Sequence, residues 1–296
     1  MNKVILFSES TIDITPELVA KYQIEVFPLI VNFEEETYYD GVNITPDELY
    51  KKVEEKKMLP KTAARTPLDY KEAYLKFLEQ GNDVVHITLG SNFSSTYQNA
   101  FVARNNLKDE LKERIFLLDG KNLSSGTALL LLKAAKLRDM GKSAKEIAEE
   151  IQKLVPRVKS QFVVESLEYL HKGGRCSTTK RFLGTVLRIK PMIVVRAGRM
   201  DVGKSIIGSM KKSLNEMVKL FLNDFPKVDP EFVFITETAA DKRYRYLAEK
   251  IEELPERKLI KNLYHTEAGC VIASHCGEGT IGILCLVNED GPENQL

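Results

Sequence analysis

The chain has 296 residues, enough for about two ordinary domains, and 43% of them are hydrophobic, enough to fill a substantial core. Lys and Arg number 43 against 42 Asp and Glu, a formal charge of +1, which argues against a nucleic-acid surface as the main function while leaving room for local basic patches. No apolar run reaches the roughly 18 residues of a membrane span. Asn2 and Lys3 lead straight into a strand-like run rather than a signal peptide's apolar region, and Cys176, Cys270, Cys276 and Cys285 form no CxxC pair. The expectation is a cytoplasmic protein with reduced thiols.

Residues 3–7 are a short buried strand that opens into the polar loop 8–13. Thr15-Pro16 is an N-cap followed by a first helical position. Residues 24–33 form the next strand, on a sheet edge because Pro28 cannot donate to a ladder, and Tyr39-Asp40-Gly41 is a turn. Thr45-Pro46-Asp47-Glu48 is a capping box that predicts a helix to about Lys57. Residues 60–65 are a loop. Thr66-Pro67-Leu68-Asp69 repeats the cap and starts a helix to about Gln80, which Gly81 ends. Strand 83–89 delivers the loop 90–96, and residues 97–105 are helical. Strand 115–118 ends in the loop 119–126 before a long apolar helix at 127–140. Ser143 caps one more helix. Short strands alternating with helices of ten or more residues are the α/β signature.

Three polar loops (8–13, 90–96 and 119–126) therefore follow strand ends, the edge of a parallel sheet at which ligands bind. Hydroxyl side chains at a helix start can hold an anion. They also simply cap helices, and the residues alone leave both readings open.

The second half begins with a strand at 162–164, Ser166, a short amphipathic turn and a Gly-Gly-Arg corner ending at Arg175. A helical pattern follows and stops at Pro191. Residues 192–195 form a strand with a turn at 197–199, and a long amphipathic helix runs from Gly208 to about Leu222. Residues 226–230 are a linker, 231–236 a strand, 241–254 a helix, 258–263 a strand, and 281–287 the last strand. The final nine residues are polar and belong on the surface. The sequence has no GxGxxG, no P-loop and no GxSxG elbow, so dinucleotide, nucleotide and serine-hydrolase folds lack their warrant. His275 lies in a glycine-rich turn, 275–280 (HCGEGT), rather than on an apolar helix face. There it can donate a hydrogen bond to an anion.

The pieces together resemble the DegV family of bacterial fatty-acid-binding proteins, which includes the acyl-carrying partners of fatty acid kinase. The matching stretches are 8–14, the Thr62 loop, 91–100, Asp119 with Ser125-Gly126, 166–175 with 187–191, and 275–282. The most specific is 167–175, LEYLHKGGR; 275–280 is similar to the family's H-x-G-P-G-T. The resemblance implies a two-domain α/β protein, residues 1–158 and 159–296, with a long-chain fatty acid in a cleft or tunnel between the domains. It implies a carboxylate gripped by Thr62 and Ser94 with help from His275. Ser95 stands beside the site serine, and Arg175 lies near the head group or a kinase partner. A carrier rather than an enzyme is implied, without cofactor. A fatty acid kinase is its expected partner, and Arg175, Lys172, Lys180 and Arg181 would give a basic mouth. Monomer is the preferred state, and transient membrane contact is left open.

Three positions depart from the family. Ala63-Ala64-Arg65 replaces Ser-Gln-Pro, Ser95 replaces a glycine, and Glu278 replaces a proline and adds a negative charge near the expected carboxylate. Two rival readings stand beside the carrier: a Ser94/His275 hydrolase or phosphotransfer enzyme, and a regulatory module that binds no lipid.

Overall fold

The computed structural model describes residues 2–176, 178 and 189–288. In the first half the elements run β1 (Val4–Glu9), α1 (Pro16–Tyr22), β2 (Ile24–Phe27), β3 (Ile30–Phe33), β4 (Glu36–Tyr39), α2 (Pro46–Lys56), β5 (Lys61–Ala63), α3 (Pro67–Leu78), β6 (Asp83–Thr88), α4 (Thr96–Asn105), α5 (Asp109–Lys112), β7 (Ile115–Asp119), α6 (Ser125–Asp139) and α7 (Ala144–Leu154). The second half runs β8 (Val158–Val163), α8 (Glu168–Gly173), β9 (Ile189–Arg196), β10 (Arg199–Ile207), α9 (Met210–Asp224), β11 (Val228–Glu237), α10 (Asp241–Glu252), β12 (Leu263–Glu267), α11 (Cys270–Cys276) and β13 (Ile281–Val287).

Strands β2-β1-β6-β7 form a wholly parallel sheet. Every residue of β1 is buried, which is why it reads as a continuous apolar run rather than an alternation. A small antiparallel sheet, β4-β3-β5, stands apart from it. A six-stranded mixed sheet, β10-β9-β8-β13-β11-β12, holds every strand among the described residues from Val158 onward, and of its pairs only β11 and β12 run parallel. The α/β class is as expected.

Helix starts follow their caps. Thr45/Glu48, Thr66/Asp69 and Ser143/Glu146 close reciprocal capping boxes at α2, α3 and α7, and Thr15 accepts the Leu18 N–H at α1. The central element is α6. Ser125 to Leu132 are all buried, because one core wraps the helix from the parallel sheet (Leu6, Val85, Ile87) and from the six-stranded sheet (Phe232, Phe234, Leu284). A helix apolar on all sides has no solvent face to offer.

Several expectations are corrected. Residues 24–33 are two strands in two different sheets, divided at Pro28-Leu29. Part of the loop 60–65 is β5, paired to β3. The strand expected at 258–263 is a 3-10 turn over Pro255–Leu259, and β12 begins only at Leu263. Pro191 does not stop a helix: it lies in β9, just beyond the pairing with β8 and opposite the bulge between Val202 and Ser205 of β10. A missing N–H is tolerated at such a place. The helical pattern expected before it falls mainly on residues outside those described, as do the last eight residues.

Candidate ligand-binding site

A cavity of about 290 Å³ lies where β5, the loop after β6, the end of α8, β10 and α11 meet. Thr62, Ser94, Ser95, Arg175 and His275 all line it, together with an apolar wall of Leu29, Leu89, Phe93, Leu123, Met200 and Ile272. A smaller hollow of about 30 Å³ shares Leu123, Ile272 and Cys276 with it and continues past Phe162 and Leu284. The five polar positions were legible as motifs. The apolar wall was not, because Leu, Phe and Met on strands and loops look the same whether they face a core or a ligand.

His275 is placed differently from the expectation. It sits in the last turn of α11, a helix with six of seven residues buried, not in a glycine-rich turn. The helix is held at its other end by two carboxylates. Asp40 accepts the Cys270 and Val271 N–H groups at 2.6 and 3.4 Å, and Asp13 accepts the Gly269 N–H at 2.8 Å. Ser10 and Ser124 donate to the same two acids. Burial pushes both carboxyls above their ordinary range, against the pull of these hydrogen bonds. The loop 8–13 therefore works as a clamp on α11 rather than as a ligand loop.

At its working end, His275 Nε2 is 2.8 Å from Thr62 Oγ1. Its Nδ1 is buried with no hydrogen-bond partner among the described residues. It abuts Gly173, where a Cβ would stand 2.4 Å from Nδ1. Burial first, and the neighbouring Arg175 charge second, lower the imidazole pKa to about 4. The ring is neutral at neutral pH. An Nε2–H tautomer donating to Thr62 leaves only an unprotonated Nδ1 facing the glycine, and it turns the Thr62 proton toward the cavity.

Arg175 ties the two halves together. Its Nη1 donates to Gly173 O at 2.6 Å and its Nε to Phe93 O at 3.2 Å. Burial lowers its pKa, yet a guanidinium stays charged at neutral pH. Ser94 Oγ lies 2.9 Å from Thr96 Oγ1 and accepts the Thr96 N–H at 3.3 Å. Of the other basic residues expected at the mouth, Lys172 is exposed and paired with Glu168 at 2.6 Å, while Lys180 and Arg181 lie outside the described residues.

The departures from the family pattern resolve individually. Ser95 has φ −74°, an ordinary right-handed value that asks for no glycine. Ala63 and Ala64 line the cavity without a hydroxyl. Arg65 does not replace one: it pairs with Asp69 at 3.1 Å and covers the Phe27 and Tyr39 rings. Glu278 lies outside the cavity, in a separate open depression with Glu165 and Glu237, so its charge does not face the hydroxyl–histidine cluster. The polar residues of the loop 119–126 are framework as well, although its Leu123 lines the cavity. Asp119 accepts from Ser91 and Lys121, and Asn122 accepts from Ser160. No cluster of three or more metal-type ligands occurs among the described residues, and none of their helices is long and apolar enough to cross a membrane.

A family model described as an uncharacterised protein of the DegV family matches residues 3–288. The chain belongs to the DegV family. A DegV domain-containing protein of Clostridium perfringens is 34% identical over 279 residues, covering 94% of this chain and 96% of the relative. A fatty-acid-binding DegV protein from Thermus thermophilus superposes with a TM-score of 0.87 at 28% identity, covering 96% of this chain and 99% of that one. A stearic acid-binding protein from Eubacterium ventriosum gives 0.84 at 25% identity, with 97% and 99% covered. Among DegV proteins of known structure, fatty acid is thus a recurrent ligand.

Proposed function

We propose that this DegV protein binds a long-chain fatty acid and presents its carboxylate to a fatty acid kinase for acyl phosphate formation. The observation that carries the reading is the polarity of the cavity. Thr62, Ser94 and His275 stand at one place, and an apolar wall leads away from them toward the hollow between Phe162 and Leu284. Each buried methylene contributes about 0.8 kcal/mol, so the wall supplies affinity. A desolvated carboxylate must be hydrogen-bonded, and the chain His275 Nε2–H to Thr62 to ligand, together with the Ser94 hydroxyl, supplies donors. Arg175 uses two of its five N–H groups on backbone carbonyls. The others are available to a ligand oxygen or to the kinase.

Binding is favoured over hydrolysis by the surroundings of the histidine. A Ser–His pair needs the serine on one ring nitrogen and an orienting acceptor on the other. Here Ser94 bonds Thr96, Nε2 meets Thr62, and Nδ1 faces Gly173. The experiment is to strip lipid from the protein and titrate it with hexadecanoate, then add ATP with and without a fatty acid kinase. Saturable binding of one fatty acid per chain, with acyl phosphate formed only when kinase is present, is expected. Absence of binding overturns the whole reading, and acyl phosphate or ester turnover without kinase overturns the carrier role.

A further inference from the structure

The head-group cluster is divided between two bodies of the fold. Thr62 lies on β5, a three-residue edge strand whose ladder partner is β3. His275 lies on α11, and Cys270, Val271 and Ala273 of that helix share one core with Val31 and Phe33 of β3. Ser94 belongs to the other body. It follows β6 and precedes α4, whose Ala100 and Ala103 pack with Tyr70 and Tyr74 of α3 and with Ile5 and Phe7 of β1. A carboxylate gripped by both Thr62 and Ser94 spans the two bodies. Its hydrogen bonds therefore depend on how far apart the bodies are set, since such bonds weaken steeply away from good geometry. Apolar contacts along the acyl chain are not directional and tolerate a small shift.

Arg65 is the crosspiece between the bodies on the Thr62 side. Its guanidinium forks onto Asp69 in the first turn of α3, Nε at 3.2 Å from Oδ2 and Nη2 at 3.1 Å from Oδ1. Its Cζ lies 4.7 Å from the centre of the Phe27 ring, on β2 of the parallel sheet, and 5.1 Å from that of Tyr39, on β4 of the small sheet. Its backbone carbonyl accepts Asn99 Nδ2 of α4 at 2.8 Å, one turn beyond Ser95. The side chain is only 16% exposed, so these are not the screened contacts of a surface ion pair. Ser10 makes another polar tie, accepting the Leu29 N–H and donating to Asp40. Asp40, however, holds the first turn of α11, whereas His275 is in the last.

We infer that Arg65 is a positioning residue that sets the spacing of the Thr62 and Ser94 hydroxyls, and with it the preference of the cavity for a carboxylate over a single-oxygen head group. This rests on the fatty-acid reading of the cavity and adds to it the source of head-group selectivity. Arg65 is not among the residues lining the cavity, so it acts through the two bodies it joins. Removing the guanidinium releases Tyr39 and its sheet from Phe27 and α3. A two-point grip on a carboxylate loses one of its points, while an alcohol needs only one.

The test is to titrate delipidated wild type, Arg65→Ala, Asn99→Ala, Ser94→Ala and the Arg65→Ala/Ser94→Ala double variant with hexadecanoate and with hexadecanol, alongside thermal melts of each. Arg65→Ala is expected to weaken hexadecanoate by about tenfold, the worth of one hydrogen bond to a charged group, and to leave hexadecanol within about twofold. Asn99→Ala acts in the same direction by roughly two- to fivefold. Once Ser94 is already Ala, removing Arg65 costs the acid less than about twofold, because the second point of the grip is gone; a merely structural role would add its full cost there. The inference is overturned, with fatty-acid binding left standing, if Arg65→Ala leaves the acid unchanged, weakens acid and alcohol alike, or costs as much without Ser94 as with it. Should the melts show Arg65→Ala unfolded, Asn99→Ala decides, and an unchanged acid affinity or an equal loss of the alcohol overturns the inference. If wild type binds no hexadecanoate, the fatty-acid reading falls and this inference with it.

Discussion

His275 is held neutral by burial and by the Arg175 charge, with a pKa of about 4, and its Nε2–H tautomer still passes a hydrogen bond along to Thr62. The folded pKa is below the ordinary 6.5, so between about 4 and 6.5 the unfolded chain binds more protons than the folded one, and stability rises with pH across that window. Buried Asp13 and Asp40, raised above their ordinary value, contribute in the opposite sense, their stabilisation being lost as pH rises from 3.8 through their raised folded values. The difference between wild type and His275→Gln therefore isolates the histidine: urea unfolding at pH 5 and pH 7 should show a steeper pH dependence in wild type. Equal slopes would show that His275 is not held neutral. Gly173 is tested at the same scale. A methyl there would meet Nδ1 at 2.4 Å, so Gly173→Ala should push the ring off Thr62 and cut fatty-acid affinity by about tenfold or more, with little change in unfolding midpoint. The hydroxyls and His275 were legible as short motifs, whereas the role of Gly173 exists only because α8 and α11 are packed side by side. Nothing in the local sequence carries that contact.

Among the elements, α11 decides where the histidine points, and it was hidden in the sequence for a physical reason. Six of its seven residues are buried, so it has no amphipathic period, and its small and apolar residues read equally well as a turn or a strand. Helices with exposed faces and capping boxes, such as α2, α3 and α7, were legible at once. The short strands β4 and β5 were not, because four and three residues are too few to show alternation. The carboxylate clamp on α11 gives the prediction at this scale. Asp40→Ala leaves the Cys270 and Val271 N–H groups and the Ser10 hydroxyl without their acceptor. Stability should fall by about 2–4 kcal/mol, read from denaturant midpoints, and fatty-acid affinity should fall with it although Asp40 does not line the cavity. Undiminished affinity would mean that α11 keeps its place without the clamp.

At the scale of the molecule, the parallel and mixed sheets share α6 as a common filling, and the cavity opens beside it between β5, β10 and α11. Alternating strands and helices made the α/β class legible. The shared core was not legible, since Phe232, Phe234 and Leu284 meet α6 from about a hundred residues away or more. A ligand bridging residues as distant as Thr62 and His275 should stabilise the folded chain as a whole. Reloading delipidated protein at a hundred times the dissociation constant should add about 2.7 kcal/mol, seen as one upward-shifted melting transition. The most direct measurement is mass spectrometry of the lipid released on denaturing the purified protein, with the Thr62→Ala/Ser94→Ala variant prepared in parallel. A single long-chain fatty acid per wild-type chain, sharply reduced in the variant, is the predicted result. A wild-type protein that carries no fatty acid, and takes none up when offered it, would contradict the account.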